Sequence, residues 1–165
     1  MLLTQRDFAM GANGQLGKLV GSFVDSQTGK GYQTIGHFEG MTIVTSTERR
    51  PISVPMRSSD AIVMGLVRYD ERDRVKYISF YNKKTGVIKK SIDIVYDNDG
   101  KIVPSQYKMI RGEQKLIGTH SHKWTMGTEG TSGRISHDEI NMLPLSKREM
   151  QWLNKALKYN NSKNK

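Results

Sequence analysis

No cysteine occurs among the chain's 165 residues, so disulfides, thiolate metal sites and cysteine nucleophiles are excluded. That absence fits a reducing compartment, and equally a domain that unfolds, crosses a membrane and refolds unaided. Long apolar runs are missing too. No stretch approaches the roughly 20 residues of a membrane span, and Met1-Leu2-Leu3 gives way at once to Thr4, Gln5, Arg6 and Asp7, leaving no signal-peptide core. Hydrophobic residues are only 36% of the chain and the mean hydropathy is -0.59, which allows a real but modest core. Acidic side chains are also scarce: 16 Asp+Glu stand against 26 Lys+Arg, a net charge of +10.

What is present is unevenly placed. Met1 to Asp73 holds 8 basic and 8 acidic residues, whereas Arg74 to Lys165 holds 18 and 8, so the whole excess lies in the second part. A one-sided cationic surface attracts polyanions, and nucleic acid is the first partner it suggests. A solvated face, or a basic tail of Lys155, Lys158, Lys163 and Lys165, would explain the same charge without a ligand.

The length suits one domain. Residues 1–59 form a neutral, glycine-rich part in which Leu16, Leu19, Val20 and Phe23 share the face of a short helix capped by Asn13. Gly29-Lys30-Gly31 lacks the upstream glycine and the Ser or Thr of a phosphate loop, which excludes that NTPase motif. Met41 to Thr45 reads as a first strand. Over 60–125 the pattern is an antiparallel sheet: the apolar run Ala61 to Val67, alternation from Val75 to Tyr81, a loop at Asn82 to Gly86, a return strand to Tyr96 and a turn at Asp97 to Gly100. A strand ending near Pro104 and two more, Gln106 to Ile110 and Lys115 to Thr125, complete it. Residues 126–145 read as a loop. Ser146-Lys147-Arg148-Glu149 is a capping box opening a helix over 146–158, with Met150, Leu153 and Leu157 as its apolar stripe and a fraying tail after it. The expected fold is α+β: an antiparallel meander of four to six strands with a short N-terminal helix and a C-terminal helix packed on it.

Chemistry concentrates at Gly118-Thr119-His120-Ser121-His122-Lys123-Trp124-Thr125. A strand period of two places His120 and His122 on one face. Metal-free RNA cleavage needs a base for the 2′-hydroxyl, an acid for the leaving oxygen and donors for the phosphoryl oxygens, and imidazole serves both proton roles near neutrality. On that reading His120 and His122 transfer protons, with Tyr107 and Thr125 assisting. Lys108, Arg111, Lys123 and Arg134 hold phosphates, Trp124 stacks on a base or fills the core, Glu139 is a secondary participant, and no cofactor is needed. A competing reading makes His120, His122 and His137 ligands of zinc or another divalent ion. His37 reads as structural.

The segment from about Val75 to Leu157 resembles toxin domains at the C-termini of bacterial polymorphic toxins and phage head-associated proteins. The resemblance lies in the hairpin from Tyr77-Ile78-Ser79-Phe80-Tyr81 to Ile92-Asp93, the Asp99-Gly100-Lys101 turn, Pro104, the Gly118 to Trp124 strand and the final Leu-Ser-x-x-Glu helix. Many such domains are similar to the barnase–EndoU–colicin–RelE group of metal-independent RNases, whose catalytic residues lie on an antiparallel sheet. The resemblance implies an endoribonuclease toxin acting on tRNA or other cellular RNA in the cytoplasm of a target cell, secreted or injected within a larger protein and inhibited by an acidic immunity protein. Where a further histidine is expected after Pro104, this chain has Ser105-Gln106-Tyr107, so Tyr107 would substitute or the site is built differently. A metal-dependent nuclease remains open, as does a basic binding module without catalysis, such as a phage structural or anti-defence protein. None of these readings calls for a membrane partner.

Overall fold

The computed structural model describes residues 21–25, 29–46, 54–69, 72–126, 135–137 and 142–163. Ten strands and one helix lie within them: β1 (Gly21–Val24), β2 (Gly31–Phe38), β3 (Met41–Ser46), β4 (Ile62–Tyr69), β5 (Arg72–Tyr81), β6 (Ile88–Asp93), β7 (Gln106–Ile110), β8 (Glu113–Ile117), β9 (His120–Met126), β10 (Ile135–His137) and α1 (Lys147–Lys163). The class is α+β, as expected. Eight strands form one sheet in the order β1-β2-β3-β4-β5-β6-β9-β10, and β7 and β8 form a separate two-stranded ribbon. The sheet is mixed rather than a pure antiparallel meander, because β3 pairs with β4 in parallel. Of the expected N-terminal helix, Leu16, Leu19 and Val20 fall outside the described residues, whereas Phe23 lies on strand β1, paired with Tyr32 of β2.

The sheet starts earlier than the composition suggests: β1, β2 and β3 precede residue 60 and extend the same hydrogen-bonded array. β4 forms from the unbroken apolar run and is buried on both faces, with Val63, Met64 and Leu66 all buried. At the Asn82 to Gly86 turn, the Asn82 side chain accepts the amides of Lys84 and Thr85. At Asp97 to Gly100, Asp97 Oδ1 accepts the amides of Asp99 and Lys101. After that turn only a single bridge, Tyr96 to Ile102, forms where a further strand was expected.

Two apolar clusters cover the two faces. One, around Tyr32, Val44, Val63, Tyr77, Tyr81 and Val87, lies on the face away from the helix. The other joins Met41, Met64, Ile78, Ile92 and Ile94 to Leu153, Ala156 and Tyr159 of α1. The capping box forms: Ser146 N–H donates to Glu149 Oε1 at 2.8 Å and Glu149 N–H to Ser146 Oγ at 3.2 Å. The buried stripe is Leu153, Ala156, Tyr159 and Asn160, while Met150 is exposed. The helix therefore rotates its contact face away from the first-turn methionine and runs on to Lys163 instead of ending near residue 158. Asn160 anchors that extra turn by accepting Val75 N–H and donating to Tyr96 Oη. Among the described residues, no helix is long and apolar enough to cross a membrane.

Candidate functional site

The expected strand from Lys115 to Thr125 is broken in two at Gly118-Thr119. Gly118 adopts φ +84°, and a Cβ there would lie 2.1 Å from the Pro104 carbonyl oxygen, so only glycine fits. This corner separates the ribbon strand β8 from the sheet strand β9. It is held by Thr119 N–H to the Val103 carbonyl, and by Val95 N–H to Thr119 Oγ1. Thr119 is fully buried.

From this fixed corner β9 pairs with β6, placing His120 opposite Asp93 and His122 opposite Ser91. Alternation sends His120, His122 and Trp124 to the face away from α1. The two imidazoles meet edge to face, with centroids 4.7 Å apart at 81°. His120 Nδ1 lies 2.7 Å from the Gly118 carbonyl oxygen. A carbonyl can only accept, so Nδ1 carries the proton, and in the neutral ring Nε2 presents a lone pair. That Nε2 stands 2.9 Å from His122 Nε2 and 3.7 Å from Asp93 Oδ2, while His122 Nε2 stands 3.2 Å from the same oxygen. His122 turns its Nδ1 into the interior. The two histidine side chains are 13% and 6% exposed and Asp93 is 36% exposed, so the carboxylate is the side of the triad that meets solvent.

Burial alone would push the Asp93 carboxyl up. The hydrogen bond and charge of His122, helped by Lys76 and His120, overcome this and hold it below the usual carboxylate range. Asp93, His120 and His122 thus offer three donor atoms within 4.8 Å of one another, a set able to hold a metal ion. Two donors each about 2.1 Å from an ion stand about 3.0 Å apart at a right angle and about 3.4 Å apart at a tetrahedral angle. The observed separations bracket those values. Donation of the remote ring N–H to a backbone carbonyl, as His120 does to Gly118, is the usual support for a metal-bound histidine.

The other expected participants are dispersed. Trp124 packs against the apolar cluster and donates Nε1–H to Ser91 Oγ at 2.8 Å, which is a core role. Lys123 is exposed on the helix-side face opposite Lys90, away from the imidazoles, and Thr125 is exposed on that same alternation. Tyr107, Lys108 and Arg111 all lie on the β7–β8 ribbon, with Arg111 at its tip. That tip is about 16 Å from the base at a strand rise of about 3.3 Å per residue, so Arg111 does not join the triad. The β10 register puts His137 opposite Trp124, one alternation beyond His122; its side chain, like Arg134 and Glu139, lies outside the described residues. His37 is exposed on β2 and takes no part in the triad.

Asp93 is the member that reading the sequence missed. Nothing local marks it among sixteen acids. Its position opposite His120 depends on β6 pairing with β9 across the intervening ribbon, a register that no spacing rule supplies. Compared with protein-family models, curated proteins and solved structures, the chain matches none.

Proposed function

We propose that Asp93, His120 and His122 bind one divalent metal ion and that the chain is a metal-assisted nuclease acting on RNA. The observation that carries this reading is the convergence of three electron-pair donors, 2.9 to 3.7 Å apart, with the His120 lone pair set by the Gly118 carbonyl. An ion bound there would polarise a phosphoryl oxygen and acidify a coordinated water. Asp93 supplies the anionic donor and the face open to solvent. His120 supplies a nitrogen whose proton is parked on the far side of the ring, and His122 anchors the set to the interior. The substrate class rests on charge, since the net +10 sits wholly in the part of the chain that carries the triad.

A second reading dispenses with the ion and keeps the two histidines as acid and base. The contact between Asp93 Oδ2 and His122 Nε2 at 3.2 Å favours it, since a carboxylate at the ring nitrogen can orient the imidazole for proton transfer. In that route His120 Nε2 takes the 2′-hydroxyl proton, the O2′–P bond forms, the P–O5′ bond breaks, and His122 returns a proton to O5′. Acid and base serving an in-line displacement stand on opposite sides of phosphorus, so two nitrogens 2.9 Å apart would have to part to admit it. This separation favours the ion.

The test is cleavage of total RNA by protein stripped with EDTA and then resupplied with zinc or manganese, beside calorimetric titration of zinc into wild type and Asp93→Asn. Loss of cleavage in EDTA with rescue by an ion, and zinc binding weakened at least tenfold by the substitution, is expected. Full cleavage in EDTA selects the acid–base route. Salt-sensitive RNA binding with no cleavage under any condition leaves a basic binding module.

A further inference from the structure

The β7–β8 ribbon projects from the sheet two residues before His120 and buries almost nothing. Its residues are exposed along most of both strands, and Tyr107 and Met109 expose 57% and 65% of their surface, an unusual cost for large apolar side chains. The register places Lys108 directly opposite Lys115. Like charges in that relation repel and weaken a ribbon, unless an anion lies over them. At the tip, Arg111 and Gly112 both take positive φ, 51° and 80°, the conformation of a two-residue hairpin turn that favours Asn-Gly. The Glu39-Gly40 turn takes the same pair of positive φ values, so what marks this tip is the exposed cation it presents and not its backbone. Three of the ribbon's four charged side chains are cationic: Lys108, Arg111 and Lys115 against Glu113.

The base of the arm, by contrast, is rigid. Ser105 Oγ donates to the Thr119 carbonyl, Thr119 N–H to Val103, and Gly118 admits no side chain against Pro104. The same Gly118 carbonyl orients His120. The arm is therefore fixed in relation to the triad, although its tip is far from it.

We infer that the β7–β8 ribbon is a binding arm for single-stranded RNA, with Lys108, Lys115 and Arg111 neutralising phosphates and Tyr107 stacking on a base. By alternation Lys108 and Lys115 share one face of the ribbon and Tyr107 and Met109 the other, so a single strand following the ribbon's edge would meet cations for its phosphates on one side and an aromatic ring for a base on the other. The deep, narrow major groove of duplex RNA excludes such a ribbon, and a ring can stack on a base only where that base is unpaired. This inference takes its substrate class from the reading above but concerns binding, and it stands or falls apart from the chemistry of the triad.

The experiment measures affinity of the full chain for fluorescent oligo(U) over a salt series, in EDTA. The proteins are wild type, Tyr107→Ala, Lys108→Ala with Lys115→Ala, Arg111→Asn, and His37→Ala as a variant outside both the arm and the triad. Tyr107→Ala is expected to weaken binding about tenfold or more, and the double lysine variant to reduce the salt slope by about 1.4. Arg111→Asn is expected to weaken binding while raising the thermal midpoint, a pairing that simple damage to the fold would not produce. His37→Ala is expected to bind as wild type does. Unchanged affinity and slope in the arm variants would overturn the inference, as would preferential binding of duplex RNA or of an acidic protein that the same substitutions leave intact. Retained arm-dependent binding with no cleavage would overturn only the proposed nuclease activity.

Discussion

The ring of Tyr77 lies across Gly65: a Cβ at position 65 would stand 1.9 Å from the ring's Cζ. The two residues are cross-strand partners at a bulge between β4 and β5, and Tyr77 in turn pairs with Asp93. One row therefore runs Gly65, Tyr77, Asp93, His120 across four strands. Laying the tyrosine over a glycine buries it against Tyr32 and Tyr81, and burial with those neighbours pushes its phenol well above the usual value. Gly65→Ala should force that ring aside and cost about 1–3 kcal/mol or more, as overpacking does. Urea denaturation checks the cost, and an unchanged midpoint would refute it.

Gly118→Ala tests the corner that orients His120. Its Cβ would collide with backbone at Pro104, at a φ that side chains avoid. The Gly118 carbonyl should swing away from His120 Nδ1, and zinc affinity should fall about 10- to 100-fold, the range seen when a ligand's supporting partner is lost. Calorimetry reads the affinity, and circular dichroism confirms that the sheet persists.

Asp93 links stability to acid. Its folded pKa lies below the unfolded value of about 3.9. The stabilisation is therefore fully present above that value and is lost as pH falls through the lower, folded one. The stability gap between wild type and Asp93→Asn should narrow on acidification, as pH falls from the unfolded carboxylate value of about 3.9 through the lower, folded one. Denaturant midpoints across that range check it; a gap that widens on acidification would reverse the sign.

Two helix contacts give separable stability effects. Ser146→Ala removes one arm of the capping box and should cost about 0.5–2 kcal/mol. Asn160→Leu leaves the buried Val75 N–H without its acceptor and should cost about 1–3 kcal/mol. The sites are distant, so the double variant should lose the sum of the two. Thermal and urea melts provide the measurement.

How much of this was legible beforehand varied with the range of the interactions. The capping box, the Asn82 and Asp97 turns and the shared face of His120 and His122 are written within a few residues, and each formed. Met150 was misplaced because a stripe read from three apolar residues does not fix which side of a helix meets the sheet; buried Tyr159 and Asn160 decided that from the far end. β2, with its glycines and exposed His37, lacks the apolar density that marks a strand, and its partners supply what the sequence does not. Asp93 was invisible for the same reason. Lys108 and Arg111 lie close to His120 along the chain, yet Gly118 turns their strands out of the sheet.

That turn has a broader consequence. β6 and β9 are hydrogen-bonded neighbours, and the chain between them leaves the sheet and returns to nearly the same point. The projecting segment is in effect an insertion at a seam whose geometry is complete without it. Trimming or exchanging the outer part of the excursion would leave Asp93, His120 and His122 in register. The proposed RNA arm and the proposed metal site can then diversify separately, with neither change imposing a rearrangement on the other.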